Sequence, residues 1–180
     1  MSLNHEQLWA PWRLGYIQSE RGTPADRPPE LLPGGDATCF ICRAVADTAD
    51  RSNLVVERGR QSLVILNRYP YNNGHLLVAG REHLGRLDQL TAEFHTEAIQ
   101  TIARLIAVLE RAMKAEGFNV GLNLGRVAGA GVPGHLHWHV VPRWNGDTNF
   151  MPVLAGVDVI PQSLEALWEL LRAELARGPS

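Results

Sequence analysis

Residues His135 to Val141 read His-Leu-His-Trp-His-Val-Val, an alternation of imidazole with large apolar side chains. Successive side chains of a strand leave on opposite faces. The period of two therefore predicts an extended segment with His135, His137 and His139 in one row, about 6 to 7 Å apart, and Leu136, Trp138 and Val140 on the other side. One face is core and the other is free for chemistry. The plain alternative, three surface or satisfied core histidines, demands a separate polar partner for each, because burying an unpaired polar group is costly.

Two chemistries suit such a row. Neutral imidazole is the commonest transition-metal ligand, so the three could converge on a metal that activates water. It is also a nucleophile near neutral pH, so one ring could attack phosphorus while its neighbours fix its tautomer and bind phosphate oxygens. Upstream lies Gly125-Arg126-Val127-Ala128-Gly129-Ala130-Gly131-Val132-Pro133-Gly134. Its glycines allow backbone N–H groups to surround an anion, which favours the second chemistry, although glycine by itself marks only a flexible turn. Gly129 to Gly134 satisfies GxGxxG, but a strand follows it and Pro133 interrupts it, so dinucleotide binding fails its context test. A kinase glycine loop fails too, for want of HRD and DFG elements.

The rest of the chain supplies a sheet and helices. Leu54–Glu57, Ser62–Leu66 and His75–Val78 are short apolar runs separated by Arg58-Gly59 and Asn72-Asn73-Gly74, which predicts strands in hairpin order. From Thr91 as N-cap to Gly117 as stop, Ile99, Ile102, Ile106, Leu109 and Met113 recur at three and four, predicting one long amphipathic helix. Strands over Asn119–Leu124 and His135–Val141 and a helix from Gln162 to Leu175 complete an α+β fold with an antiparallel sheet of about five strands. Gly22 to Gly35, rich in proline, reads as a loop, and Trp9 and Trp12 before it need burial against the core, a ligand or a second subunit. With 180 residues the expectation is one compact domain with room for terminal extensions.

A net charge of −2 asks for neither nucleic acid nor an anionic membrane as partner, and leaves room for a small anionic ligand. No apolar run is long enough for a membrane span and Met1 to Pro11 lacks the pattern of a signal peptide, so the expected compartment is the cytoplasm. Cys39-Phe40-Ile41-Cys42 is too sparse for a disulfide framework and fits a zinc knuckle, a redox pair or two buried thiols. His5 and His95 stand outside any constellation, and His95, in the first turn of the long helix, is expected to be solvated.

The pattern His-φ-His-φ-His-φ-φ, with φ an apolar residue, resembles the signature of the histidine triad superfamily, and His135 to Val141 matches it throughout. The resemblance extends through Leu66-Asn67-Arg68-Tyr69-Pro70, Gly74-His75-Leu76-Leu77-Val78 and Gly121-Leu122-Asn123, which implies a domain over residues 39–150, an N-terminal extension over 1–38 and a C-terminal extension with a helix over 151–180. Trp9-Ala10-Pro11-Trp12-Arg13 and Pro142 to Phe150 look like the bacterial branch described as diadenosine tetraphosphate phosphorylases or hydrolases. It implies a nucleotidyl hydrolase or transferase in which His137 attacks an α-phosphorus and forms a nucleotidyl-histidine, later discharged by water or phosphate. It implies that His139 holds a phosphate oxygen or steadies the attacking ring, that His75 stands behind the triad, that Asn67 meets the ribose, and that Asn123 meets the α-phosphate. The loop lacks the polar Gln-Thr pair of the eukaryotic fragile histidine triad enzymes. Contacts to the phosphate chain are then expected from backbone groups at Gly129, Ala130 and Gly131 or from Asn149 and Trp144. Zinc-bearing relatives imply a closed structural Zn²⁺ site of Cys39, Cys42, His83 and His135. They also imply a homodimer through the long helix and an edge strand, acting on an adenine dinucleotide. The rivals are a nucleoside phosphoramidase or adenylyl transferase, a nucleotide-binding signalling protein with vestigial catalysis, and a catalytic tri-histidine metalloenzyme.

Overall fold

A computed structural model describes residues 30–148, 150, 151, 154 and 159–178. Trp9, Trp12, His5 and Asn149 lie outside the described residues, as does most of the proline-rich loop. The elements are α1 (Phe40–Ala46), β1 (Val55–Arg58), β2 (Ser62–Leu66), β3 (Leu76–Gly80), α2 (Ala92–Met113), β4 (Gly117–Leu122), β5 (His137–Arg143) and α3 (Leu164–Ala176). The fold is α+β, with one antiparallel sheet in the order β1-β2-β3-β5-β4. β1 to β3 form a meander, α2 carries the chain across to the far edge, and β5 returns between β4 and β3.

Strand alternation divides the core into two layers. Val56, Val64, Leu66, Leu76, Val78 and Val140 face α2 and α3 and bury Phe94, Ile102, Leu105, Leu109, Leu167 and Leu171 against them. Each such aliphatic side chain contributes about 1.5–3 kcal/mol through its removal from water. Val55, Leu63, Ile65, Leu77 and Ala79 point the other way and pack on Ile41, Ala44 and Val45 of α1. His137 pairs with Ala79 and His139 with Leu77, so both imidazoles stand on the α1 side of the sheet.

Local chemistry sets the helix ends. Thr91 caps α2 as expected, its side chain accepting from the Phe94 N–H. The helix stops earlier than the glycine signal suggests: Lys114 turns left-handed at φ 57, and Gly117 opens β4 instead of ending the helix. Ile99, taken as part of the core stripe, is 53% exposed, because Phe94, Ala98 and Leu105 carry the buried face. Ser163 caps α3, whose Trp168 indole N–H and Arg172 guanidinium donate to the Val55 and Val56 carbonyls at 2.8 and 3.0 Å. Those bonds cover the β1 edge, while β4 is left as the other edge of the sheet. His95 is half-buried and not fully solvated as expected: its Nε2 lies 3.0 Å from the Leu87 carbonyl oxygen, and its ring meets Phe94. Among the described residues no helix is long and apolar enough to cross a membrane.

Candidate active site and metal centre

The hydrogen bonds fix the tautomers along a row of imidazoles. The Tyr71 backbone N–H can only donate, and it reaches His75 Nδ1 at 3.1 Å. Asn67 Nδ2 donates to the same nitrogen at 3.2 Å, its amide oriented by Oδ1, which accepts from the Tyr69 N–H at 3.0 Å. His75 therefore keeps its proton on Nε2 and donates it to His139 Nδ1, 2.9 Å away. That leaves His139 with an N–H at Nε2, a buried atom with no hydrogen-bond partner among the described residues. Orphaned buried donors are rare, and one beside a nucleophile-competent ring marks a place for an acceptor atom.

His137 is held separately. Its Nδ1 donates to the His135 carbonyl oxygen at 2.8 Å, so the ring lone pair sits on Nε2, which makes no hydrogen bond among the described residues. The His137 and His139 rings meet edge-on with centroids 5.0 Å apart. Burial disfavours the charged form of every member. It lowers His137 below the ordinary imidazole value, against a smaller opposing effect of the His135 carbonyl. His139 falls to about 4 through burial and the charge of His137, and His75 to about 3 through burial and then the charges of His139 and His137. At neutral pH the row is uncharged and carries a lone pair at one end and a donor beside it.

His135 departs from the row. Its N–H bonds back to the Val132 carbonyl and the Leu136 N–H goes to Leu84, so the ladder with β3 begins only at His137. The ring instead faces the cysteines. Cys39, Cys42, His83 and His135 bring one donor atom each to within 4.8 Å of one another. Cys42 Sγ lies 3.2 Å from His83 Nδ1 and 3.4 Å from His135 Nδ1, and Cys39 Sγ lies 3.5 Å from His135 Nδ1. These separations match the edges of a tetrahedron with bonds of about 2.0–2.3 Å to a central ion. His135 Nε2 donates to the Gly80 carbonyl at 2.8 Å, which leaves Nδ1 as the free lone pair a metal requires. Burial, reinforced by the neighbouring Cys42, pushes the Cys39 thiol up to about 11, so Cys39 becomes a thiolate at neutral pH only beside a cation. The residues present therefore fit a bound metal ion. Two glycines permit the geometry: a Cβ on Gly134 would stand 2.8 Å from His83 Nε2, and one on Gly85 would collide with the Pro133 carbonyl.

The glycine loop is more closed than its composition suggests. The N–H groups of Ala128, Gly129 and Ala130 turn inward to the Gly125 and Arg126 carbonyls, so they do not line a free anion nest. Gly129 adopts φ +89, and a Cβ there would come within 3.9 Å of Asn123 Nδ2, which places the half-buried Asn123 beside the loop. The Asn123 amide has no partner among the described residues. Ala130 is buried, whereas Gly131 opens on free space. Asn67 stands in the His75 network rather than apart from it, as the bonds above show. Trp144 is a packed loop residue: its indole N–H donates to the Met113 carbonyl at 3.2 Å and closes the end of α2. Sequence reasoning missed Tyr71, whose ring stacks on His139 at 5.7 Å and 21°. Its only signal was its place in the Asn67–His75 connection, because an exposed aromatic in a turn has no periodicity to betray it.

Fold and site together define an α+β protein whose chemistry rests on a row of neutral imidazoles braced by a metal-competent Cys₂His₂ cluster. The chain belongs to the HIT domain family, which it matches over residues 48–146. It is 39% identical over 175 residues to the "AP-4-A phosphorylase" of Mycobacterium tuberculosis, covering 97% of this chain and 86% of that protein. It is 32% identical over 93 residues to the "Bis(5'-nucleosyl)-tetraphosphatase [asymmetrical]" of Schizosaccharomyces pombe, covering 52% of this chain and 50% of that one. Among solved structures it resembles a Zn-bound histidine triad family protein from Mycobacterium smegmatis, with TM-score 0.57 and 29% identity over 79% of this chain and 96% of that chain.

Proposed function

We propose that the protein is a nucleotidyl transferase that splits diadenosine tetraphosphate at an α-phosphate with inorganic phosphate as the acceptor. The observation that carries this reading is the tautomer of His137: with Nδ1–H committed to the His135 carbonyl, Nε2 is a neutral lone pair free to attack. Nε2 forms a bond to the α-phosphorus as the bond from that phosphorus to its bridging oxygen breaks, and ATP leaves. A phosphate oxygen then attacks the same phosphorus, the P–N bond breaks, and ADP departs with His137 restored. The His139 Nε2–H, fixed through His75, donates to an α-phosphate oxygen and stabilises the charge that builds there. With the Gly129 and Ala130 N–H groups engaged inside the loop, Asn123 and the open Gly131 are assigned to the phosphate chain, and Asn67 to the ribose. The extended likeness to a protein named as a phosphorylase supports phosphate over water as acceptor.

Cys39, Cys42, His83 and His135 would hold a zinc ion with all four positions filled. In that role zinc supplies structure, tying α1 to the segment that leads into His137. The functional domain is assigned to residues 39–150, which takes in the cysteine pair. The exposed Ile99 of α2 and Val120 of the β4 edge support a homodimer through those two elements. The test is product analysis of diadenosine tetraphosphate with and without phosphate. ATP plus ADP only when phosphate is present is expected. ATP plus AMP in both cases would make water the acceptor, and no cleavage would turn attention to phosphoramidates.

A further inference from the structure

We propose that Tyr71 is the positioning residue of the imidazole row: its backbone N–H and its ring together hold His75 and His139 so that the Nε2–H of His139 stays directed at the substrate phosphate. The inference rests on the reading of His137 and His139 given above. Three independent contacts carry it. The N–H of Tyr71 meets His75 Nδ1 at 3.1 Å and forces the His75 proton onto Nε2, from which every later tautomer follows. The Tyr71 ring lies over His75 with centroids 4.6 Å apart, and against the His139 face at 5.7 Å and only 21° from parallel. The Tyr71 ring thus touches both relay rings, tilted by 44° to His75 and near parallel to His139, although the residue is 59% exposed. A large apolar surface left in water at that cost has its other side engaged where it matters. Packed on both imidazoles, the ring limits rotation of His139, whose Nε2 has no partner among the described residues to hold it. The connection is itself anchored at both ends, since the Asn67 N–H bonds to the His75 carbonyl at 2.9 Å and Gly74 turns at φ +80. The Tyr71 hydroxyl makes no hydrogen bond among the described residues, so the ring and not the phenol is the working part.

The test compares wild type, Tyr71→Phe and Tyr71→Ala by steady-state kinetics on diadenosine tetraphosphate plus phosphate and by ¹⁵N spectra of the histidine ring nitrogens. Tyr71→Ala is expected to lower kcat by about tenfold or more with KM little changed, a fraction of the loss seen when an oxyanion donor is removed outright. Because the backbone N–H survives in Tyr71→Ala, the His75 nitrogens should keep their signals, while the His139 nitrogens, their ring freed to rotate off His75 Nε2, should move from one protonated and one bare signal towards a tautomeric average. Tyr71→Phe should restore both readouts. A higher KM at constant kcat, or wild-type kinetics in Tyr71→Ala, would overturn the proposal. If the wild-type protein does not cleave the dinucleotide, the functional reading fails by itself. The nitrogen spectra then decide on Tyr71: unchanged His139 signals in Tyr71→Ala refute it, and averaged ones uphold its hold on the row.

Discussion

Lowering the pH from 7.5 to 5.0 should cost the protein stability through His75, and replacing that residue with Asn should remove this part of the dependence. His75 has 0% exposure, and burial holds its folded-state value at about 3 against 6.5 for an ordinary imidazole. The unfolded chain therefore binds the proton first as pH falls below 6.5, and stability declines until the folded form also titrates near 3. Each tenfold excess of protons taken by the unfolded state costs about 1.4 kcal/mol, so at pH 5.0 the loss from this ring is about 2 kcal/mol. The assay is urea unfolding of wild type and His75→Asn at both pH values. Titrations of groups outside the imidazole row are common to both proteins and cancel in the comparison. The variant should lose about 2 kcal/mol less than wild type between the two pH values, whatever its stability at pH 7.5. Equal losses would mean that His75 is not held neutral, and the tautomer chain built upon it would fall.

Gly134→Ala should displace His83, because the new Cβ would stand 2.8 Å from its Nε2, and zinc content by elemental analysis should fall. Gly131→Ala, which meets nothing within 4 Å, should keep its metal. Dialysis against a strong chelator should lower Tm, and restored zinc should recover it, as expected of a closed structural site whose binding energy is part of folding. Truncating Leu109, at 0% exposure in the layer between α2 and the sheet, to Ala should cost about 2–5 kcal/mol by chemical denaturation, with activity retained below the transition.

Those parts of the fold that obey a local rule could be read from the sequence. The His135 to Val141 alternation placed His137 and His139 on one face because the pleat admits no other arrangement, and Thr91 announced the start of α2 because its hydroxyl serves the Phe94 N–H. Cys39 and Cys42 met His83 and His135 as the family resemblance implied. What local rules could not supply was competition between partners. His135 leaves the ladder because its N–H prefers the Val132 turn and its ring the cysteines. Lys114, and not Gly117, ends α2: it takes the left-handed φ of 57 while its N–H still reaches the Glu110 carbonyl, and Gly117 opens β4. The glycine loop spends three of its N–H groups on its own carbonyls, which composition alone does not reveal. Tyr71 gave no local signal, because only the pairing of β5 beside β3 brings His139 against its ring.

The central claim is that His137 Nε2 becomes bonded to the α-phosphorus. It is tested most directly by mixing the protein with diadenosine tetraphosphate in the absence of phosphate, quenching under alkaline conditions that spare a P–N bond, and mapping the adduct by peptide mass spectrometry. An adenylyl group on the peptide containing His137, discharged to ADP when phosphate is added and absent from a His137→Ala protein that still folds and binds zinc, is the predicted result. Full turnover by His137→Ala, or an adenylyl group on another residue, would contradict the account.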